Sequence, residues 1–125
     1  MAKILIIDDE KLIVEMLAFR LSKAGGYEVV QAFDGDEGLI KAAAEKPDLV
    51  LVDIMMPKMD GHQFIINMKK DPALSSIPII IITASVSLEI VNQALKSGAA
   101  GYILKPFDPN KLMEKVKEAL EGRKK

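Results

Sequence analysis

Five short apolar runs, each followed by a segment of helical periodicity, constrain the fold of this chain more than any other feature. The first, residues 3–7 (KILII), is rich in β-branched side chains and stops abruptly at Asp8. A run that is apolar at successive rather than alternate positions suits a strand covered on both faces. From Leu12 the period changes: Ile13, Met16, Leu17, Leu21 and Ala24 recur at three- and four-residue spacing and predict a helix with those residues turned inward. Gly25-Gly26 then supplies the left-handed turn that ends many helices. The same alternation predicts strands over 28–32, 48–52, 78–82 and 101–104, and helices over 36–45, 61–70, 87–97 and 108–121. Pro47 breaks the second helix. Asp108 can cap the last one and Pro109 sits at its first position, where a missing N–H costs nothing; Leu112, Met113, Val116, Ala119 and Leu120 form its inward face. Five strand–helix pairs in 125 residues predict one α/β domain over 1–125, a five-stranded parallel sheet with helices on both faces joined by right-handed crossovers.

Composition removes several functions. With 17 basic and 18 acidic residues the charges nearly cancel, so the electrostatic footprint of a direct nucleic-acid binder is missing. The acids lead and the bases follow: residues 1–62 hold seven basic and twelve acidic side chains, residues 63–125 ten and six. The absence of Cys excludes disulfides, thiolate nucleophiles and thiolate metal sites. The run Ile79–Ile82 is far too short to cross a bilayer, and MAKILIIDDE places two acids where a signal peptide needs an apolar stretch. The expectation is a cytoplasmic chain that does not insert into membranes.

In a parallel α/β sheet, ligands gather beyond the carboxyl ends of the strands. The residues expected there are Asp8, Asp9 and Glu10 after the first strand, Asp53 after the third, Thr83, Ala84 and Ser85 after the fourth, and Lys105-Pro106 after the fifth. Each has a commonplace role when taken singly: Asp8 and Asp9 as helix caps, Asp53 as a turn residue, Thr83 as a strand-end hydroxyl, Lys105 as a surface lysine. Their shared edge argues for a site instead. Carboxylates crowded into one low-dielectric cleft repel one another unless a cation intervenes, and hard oxygen ligands with room for water suit Mg²⁺.

The DD of IIDDE, the segment VDIMMPKMDG around Asp53, the run IIIITAS ending near Thr83, and GYILKPF with Lys105-Pro106 together resemble the receiver domain of two-component response regulators. The resemblance covers essentially the whole chain. It implies a flavodoxin-like, doubly wound fold with strand order 2-1-3-4-5, the order common to that class. It implies that Asp53 accepts a phosphoryl group from a sensor histidine kinase or a histidine phosphotransfer protein. Asp9 and Asp53 would ligate Mg²⁺ directly and Asp8 through water, with the Met55 carbonyl adding an oxygen. Lys105 would neutralise charge on the phosphoryl group and share a cis bond with Pro106. Thr83 and Tyr102 would form a switch pair that alters the face built by the fourth helix, fifth strand and fifth helix, where a downstream effector would bind.

Other readings compete. A receiver belonging to a longer transcriptional regulator would carry the same motifs. A Mg²⁺-dependent phosphatase with an aspartyl nucleophile needs a second acid two residues on, and Met55 stands there, so conventional turnover is not expected. A flavodoxin would need a hydroxyl-rich phosphate loop after the first strand, where this chain has acids. His62, the one histidine, is expected to be an exposed surface residue. The basic residues of the last helix are interleaved with Glu114, Glu118 and Glu121 and read as a solvated face.

Overall fold

In a computed structural model of the chain, residues 2–54, 61–84 and 88–124 are described. The elements run β1 (Lys3–Ile7), α1 (Lys11–Gly25), β2 (Glu28–Ala32), α2 (Gly35–Glu45), β3 (Leu49–Asp53), α3 (Gly61–Lys70), β4 (Ile79–Thr83), α4 (Leu88–Ser97), β5 (Gly101–Leu104) and α5 (Pro109–Lys124). All strand pairs are parallel and the order is β2-β1-β3-β4-β5, as the resemblance implied. Every residue of β3 and β4 is buried, which is why those runs read as continuously apolar.

Alternation along the strands divides the core in two. Leu5, Ile7, Val50, Val52, Ile79 and Ile81 pack on one face with Phe64, Ile65 and Met68 of α3. Ile4, Ile6, Leu49, Leu51 and Ile103 pack on the other with Leu17 and Leu21 of α1 and Leu112 and Val116 of α5. That parity sets the site: Asp8 follows Ile4 and Ile6, Asp53 follows Leu49 and Leu51, and Lys105 follows Ile103. All three belong to the face shared by α1 and α5. Ile7 pairs with Val52 in register, so Asp8 and Asp53 emerge level with each other.

The inward face of α1 differs from expectation. Val14, Leu17 and Leu21 are buried, whereas Met16 is half exposed, Ala24 is exposed and Ile13 is only partly covered. The helix rests on the sheet along a narrow stripe centred on Leu17, and Met16, about 100° round the helix from it, faces water. Gly26 ends α1 as expected, at φ 68°, with its N–H donating to Leu21 O. Helix α2 begins at Gly35, one residue early, because Asp34 caps it by accepting from the Glu37 N–H at 2.8 Å while Glu37 Oε1 accepts the Phe33 N–H at 2.6 Å. The inward face of α5 agrees with expectation, and Asp108 Oδ1 accepts the Asn110 N–H at 2.8 Å. The expected start of α4 at Ser87 lies outside the described residues. Among those residues, no helix is long and apolar enough to cross a membrane.

Candidate functional site

The carboxyl edge of the sheet converges on one nitrogen. Lys105 Nζ lies 2.8 Å from Asp8 Oδ2, 3.1 Å from Asp53 Oδ2 and 3.1 Å from Glu10 Oε1. An ammonium has three donors, and each meets a different carboxylate. Asp8 and Asp53 are buried, at 0% and 4% exposure, whereas the Glu10 side chain is 59% exposed and forms the solvent side of the cluster. Asp8 also accepts the Glu10 N–H on Oδ1 at 3.0 Å.

Lys105 is itself fixed to the sheet. Its N–H donates to Thr83 O at 2.8 Å, extending the β4–β5 ladder by one rung, and its bond to Pro106 is cis. Burial alone would lower the pKa of this ammonium. The hydrogen bond it donates to Asp8, the charge of Asp53 and the hydrogen bond it donates to Glu10 outweigh burial, and the pKa ends well above the ordinary lysine value. The nitrogen therefore stays charged throughout the physiological range. Three carboxylates against one ammonium leave a surplus of negative charge at a largely buried position.

That surplus fits a hard divalent cation. Asp8, Glu10 and Asp53 each offer an oxygen, and these atoms lie within 4.8 Å of one another. Carboxylate oxygens open to solvent on one side, as at Glu10, suit Mg²⁺, which keeps several waters.

Backbone packing positions Asp53. Helix α3 starts at Gly61, whose N–H donates to Ile54 O at 3.0 Å. A Cβ at that position would meet Ile54 Cα at 2.5 Å and Asp53 O at 2.8 Å, so only glycine lets the helix press against the end of β3.

The other expected residues are distributed as follows. Thr83 is buried at the end of β4, one strand over from Asp53. Tyr102 is on β5, 38% exposed, and lines a shallow recess of about 400 Å³ with Phe107, Lys111 and Lys115. Asp9 is exposed and outside the cluster of three acids. The Met55 carbonyl and Ser85 lie outside the described residues. Glu10, expected at this edge but given no role there, takes a place in the cluster. Its signal was faint: it is the N-cap of α1, a position where Glu is a poor choice, and its side chain makes no capping bond. His62 is not a free surface residue, since its Nε2 lies 2.6 Å from Ser97 Oγ, tying α3 to α4 across 35 residues of sequence.

A doubly wound parallel sheet with buried acids and a lysine at its carboxyl edge defines a flavodoxin-like α/β protein with an acidic, cation-ready centre. The chain belongs to the response regulator receiver domain family, whose pattern matches residues 4–117. It is 37% identical over 120 residues to the DNA-binding dual master transcriptional regulator RpaA of Synechocystis sp., covering 96% of this chain and 49% of that protein. It thus spans about half the length of that relative. Its structure is similar to that of chemotaxis protein CheY4 of Vibrio cholerae, with a TM-score of 0.90 and 34% identity over 95% of this chain and 98% of the other. A CheY-like receiver domain protein of Methanospirillum hungatei gives a TM-score of 0.92 and 35% identity, over 99% and 97%. A receiver domain is a signalling module of two-component response regulators.

Proposed function

We propose that this receiver is a phosphoacceptor: Asp53 takes a phosphoryl group from a histidine kinase or a histidine phosphotransfer protein, and the charge so gained changes the surface offered to an effector. The observation that supports this most is the buried Asp53 carboxylate held 3.1 Å from the Lys105 ammonium, at the mouth of an acidic cleft. An Asp53 oxygen attacks phosphorus in line, the P–N bond to the donor imidazole breaks, and the imidazole leaves and is reprotonated from solvent. Two anions must approach for this, and Lys105 offsets charge on the transferring oxygens. Mg²⁺, when bound, supplies the remaining neutralisation. Asp8 and Asp53 are the residues that would hold it, joined in this reading by Asp9, whose side chain is exposed, and by the Met55 carbonyl. The acyl phosphate formed is labile, which suits a reversible signal.

Thr83 then donates its hydroxyl to a phosphoryl oxygen and draws the loop after β4 inward, while Tyr102 turns toward the space vacated. The half-exposed state of Tyr102 supports this role, because the ring has room to move. Exposed Tyr102 and Leu104 on β5, with the recess beside Phe107 and Lys111, support α4, β5 and α5 as the effector face. Coverage of about half of RpaA supports a second reading of the effector, as an output domain within one longer polypeptide. Both readings use the same face.

Incubation with Mg²⁺ and acetyl phosphate, followed by intact mass, tests the central claim. Wild type gains one phosphate and Asp53→Asn gains none; a gain that survives the substitution overturns the assignment.

A further inference from the structure

We infer that Glu10 is a positioning residue for phosphoryl transfer: its carboxylate occupies the one Lys105 donor that the incoming phosphoryl oxygen must take, and it is the anion that yields. The inference rests on the phosphoacceptor reading above. Lys105 has three donors, and all three are engaged, by Asp8 at 2.8 Å and by Glu10 and Asp53 at 3.1 Å each. A phosphoryl group arriving at Asp53 can be neutralised by this ammonium only if one partner lets go. Asp53 is the atom under attack and stays close. Asp8 is fully buried and anchored a second time through the Glu10 N–H, so releasing it would strand a buried carboxylate. Glu10 is 59% exposed and its carboxylate can return to water at little cost.

The local backbone agrees. Glu10 is the N-cap of α1, yet its side chain makes no capping hydrogen bond and reaches instead across to the loop after β5. The carboxylate also stands at the open side of the cluster, where it repels any small dianion that approaches. Free anionic phosphodonors are therefore disfavoured at this site, and Lys105 is held beside Asp53 until a phosphoryl group replaces Glu10.

The test compares wild type, Glu10→Gln, Glu10→Asp and, as a control on an exposed acid of the same helix, Glu15→Gln. At saturating Mg²⁺, the acetyl phosphate concentration giving half-maximal phosphorylation of Asp53 should fall roughly two- to five-fold in Glu10→Gln, the range for loss of one solvent-exposed ion pair. It should be unchanged in Glu15→Gln. Glu10→Asp keeps the charge but is one methylene shorter, so it should move part of the way toward Glu10→Gln. The Mg²⁺ concentration for half-saturation should rise by no more than about five-fold, the effect of losing one exposed charge beside the site. Without Mg²⁺, the Lys105 ammonium resonance in ¹⁵N-edited spectra should shift in Glu10→Gln and not in Glu15→Gln. An unchanged or higher acetyl phosphate requirement in Glu10→Gln overturns the inference, as does a Glu10→Asp protein indistinguishable from wild type. Mg²⁺ binding weakened by about ten-fold or more in Glu10→Gln overturns it too, by making Glu10 a metal ligand. If wild type itself takes up no phosphate at Asp53, the phosphoacceptor reading falls and this inference with it; if wild type does and Glu10→Gln behaves identically, this inference alone falls.

Discussion

The two edges of the sheet use the same residue types to opposite ends. At the amino edge, Asp48 accepts the Lys3 N–H at 2.8 Å and donates its own N–H to Lys3 O at 2.7 Å, while Lys3 Nζ lies 3.0 Å from Glu45. Acids there are answered by a backbone N–H and a partly exposed ammonium, close to water, and they fasten strand ends together. A broad recess of about 560 Å³ also lies there, lined by Tyr27, Asp48, Lys117 and Glu121, but Lys117 and Glu121 are exposed. At the carboxyl edge three acids share one ammonium, two of them buried. Neither the residue type nor the size of a depression separates a fastener from a site. The burial of the charged groups does.

Removing each edge's lysine puts this difference under the greatest load. Lys105→Met strips buried Asp8 and Asp53 of their cation, and phosphorylation of Asp53 should fall by about 10²-fold or more, as on loss of one preorganised electrostatic partner. Without Mg²⁺ the same protein should lose about 1–3 kcal/mol of stability in urea, less than for a fully buried pair because the cluster is open to solvent at Glu10. Lys3→Met should leave the thermal midpoint within the scatter of wild type. Equal losses from the two substitutions would show that the edges do not differ.

Two glycines carry the contrast into the backbone. Gly61→Ala drives a methyl into the backbone at Ile54 and Asp53 and should cost about 1–3 kcal/mol in chemical denaturation. Gly101, at the amino end of β5, has nothing within 4 Å of a built Cβ, so Gly101→Ala should be neutral or gain a few tenths of a kcal/mol, roughly the effect of stiffening the unfolded chain.

A smaller effect is written in pH. The Lys105 pKa is raised in the folded chain, so its contribution is fully present below the unfolded value of 10.5 and is lost as pH climbs toward and through the folded one. The stability gap between wild type and Lys105→Met should be flat from neutral pH to about 10 and shrink beyond. A gap that closes between neutral pH and about 10 would contradict the ion cluster. The slightest change is expected of Asp9→Asn. Because Asp9 is exposed, its stability without Mg²⁺ should stay within about 0.5 kcal/mol of wild type, while the Mg²⁺ concentration for half-saturation rises if Asp9 is a ligand.

The strands at the site were legible because burial on both faces leaves an unmistakable mark on β1, β3 and β4, and the acids that end β1 and β3 interrupt that mark sharply. Asp8, Asp53 and Thr83 were legible because each stands where such a run stops, and Lys105 because it follows the shorter, half-exposed run of β5. Met16 and Ala24 misled because three- and four-residue spacing allows a wider apolar stripe than α1 presents to the sheet. Glu10 and His62 were hard to read because their partners, Lys105 and Ser97, are 95 and 35 residues away, and a pairing between side chains so distant in sequence leaves no local pattern. The helix expected from residue 36 begins at Gly35 because Asp34 and Glu37 together cap it.

Lys105 is attached at both ends, by its amide to Thr83 O and by its ammonium to the acids. The amide belongs to the ladder and is anchored; between it and the charge lie four methylenes. When the ammonium changes partners, that tether takes up the slack, and the strand beneath it registers no pull. In the phosphoacceptor reading a message leaving this edge would travel by a stiffer route, and a stiff side chain here is Thr83, β-branched and at the end of β4. In that reading, the lysine would feel a phosphate without repeating what it feels.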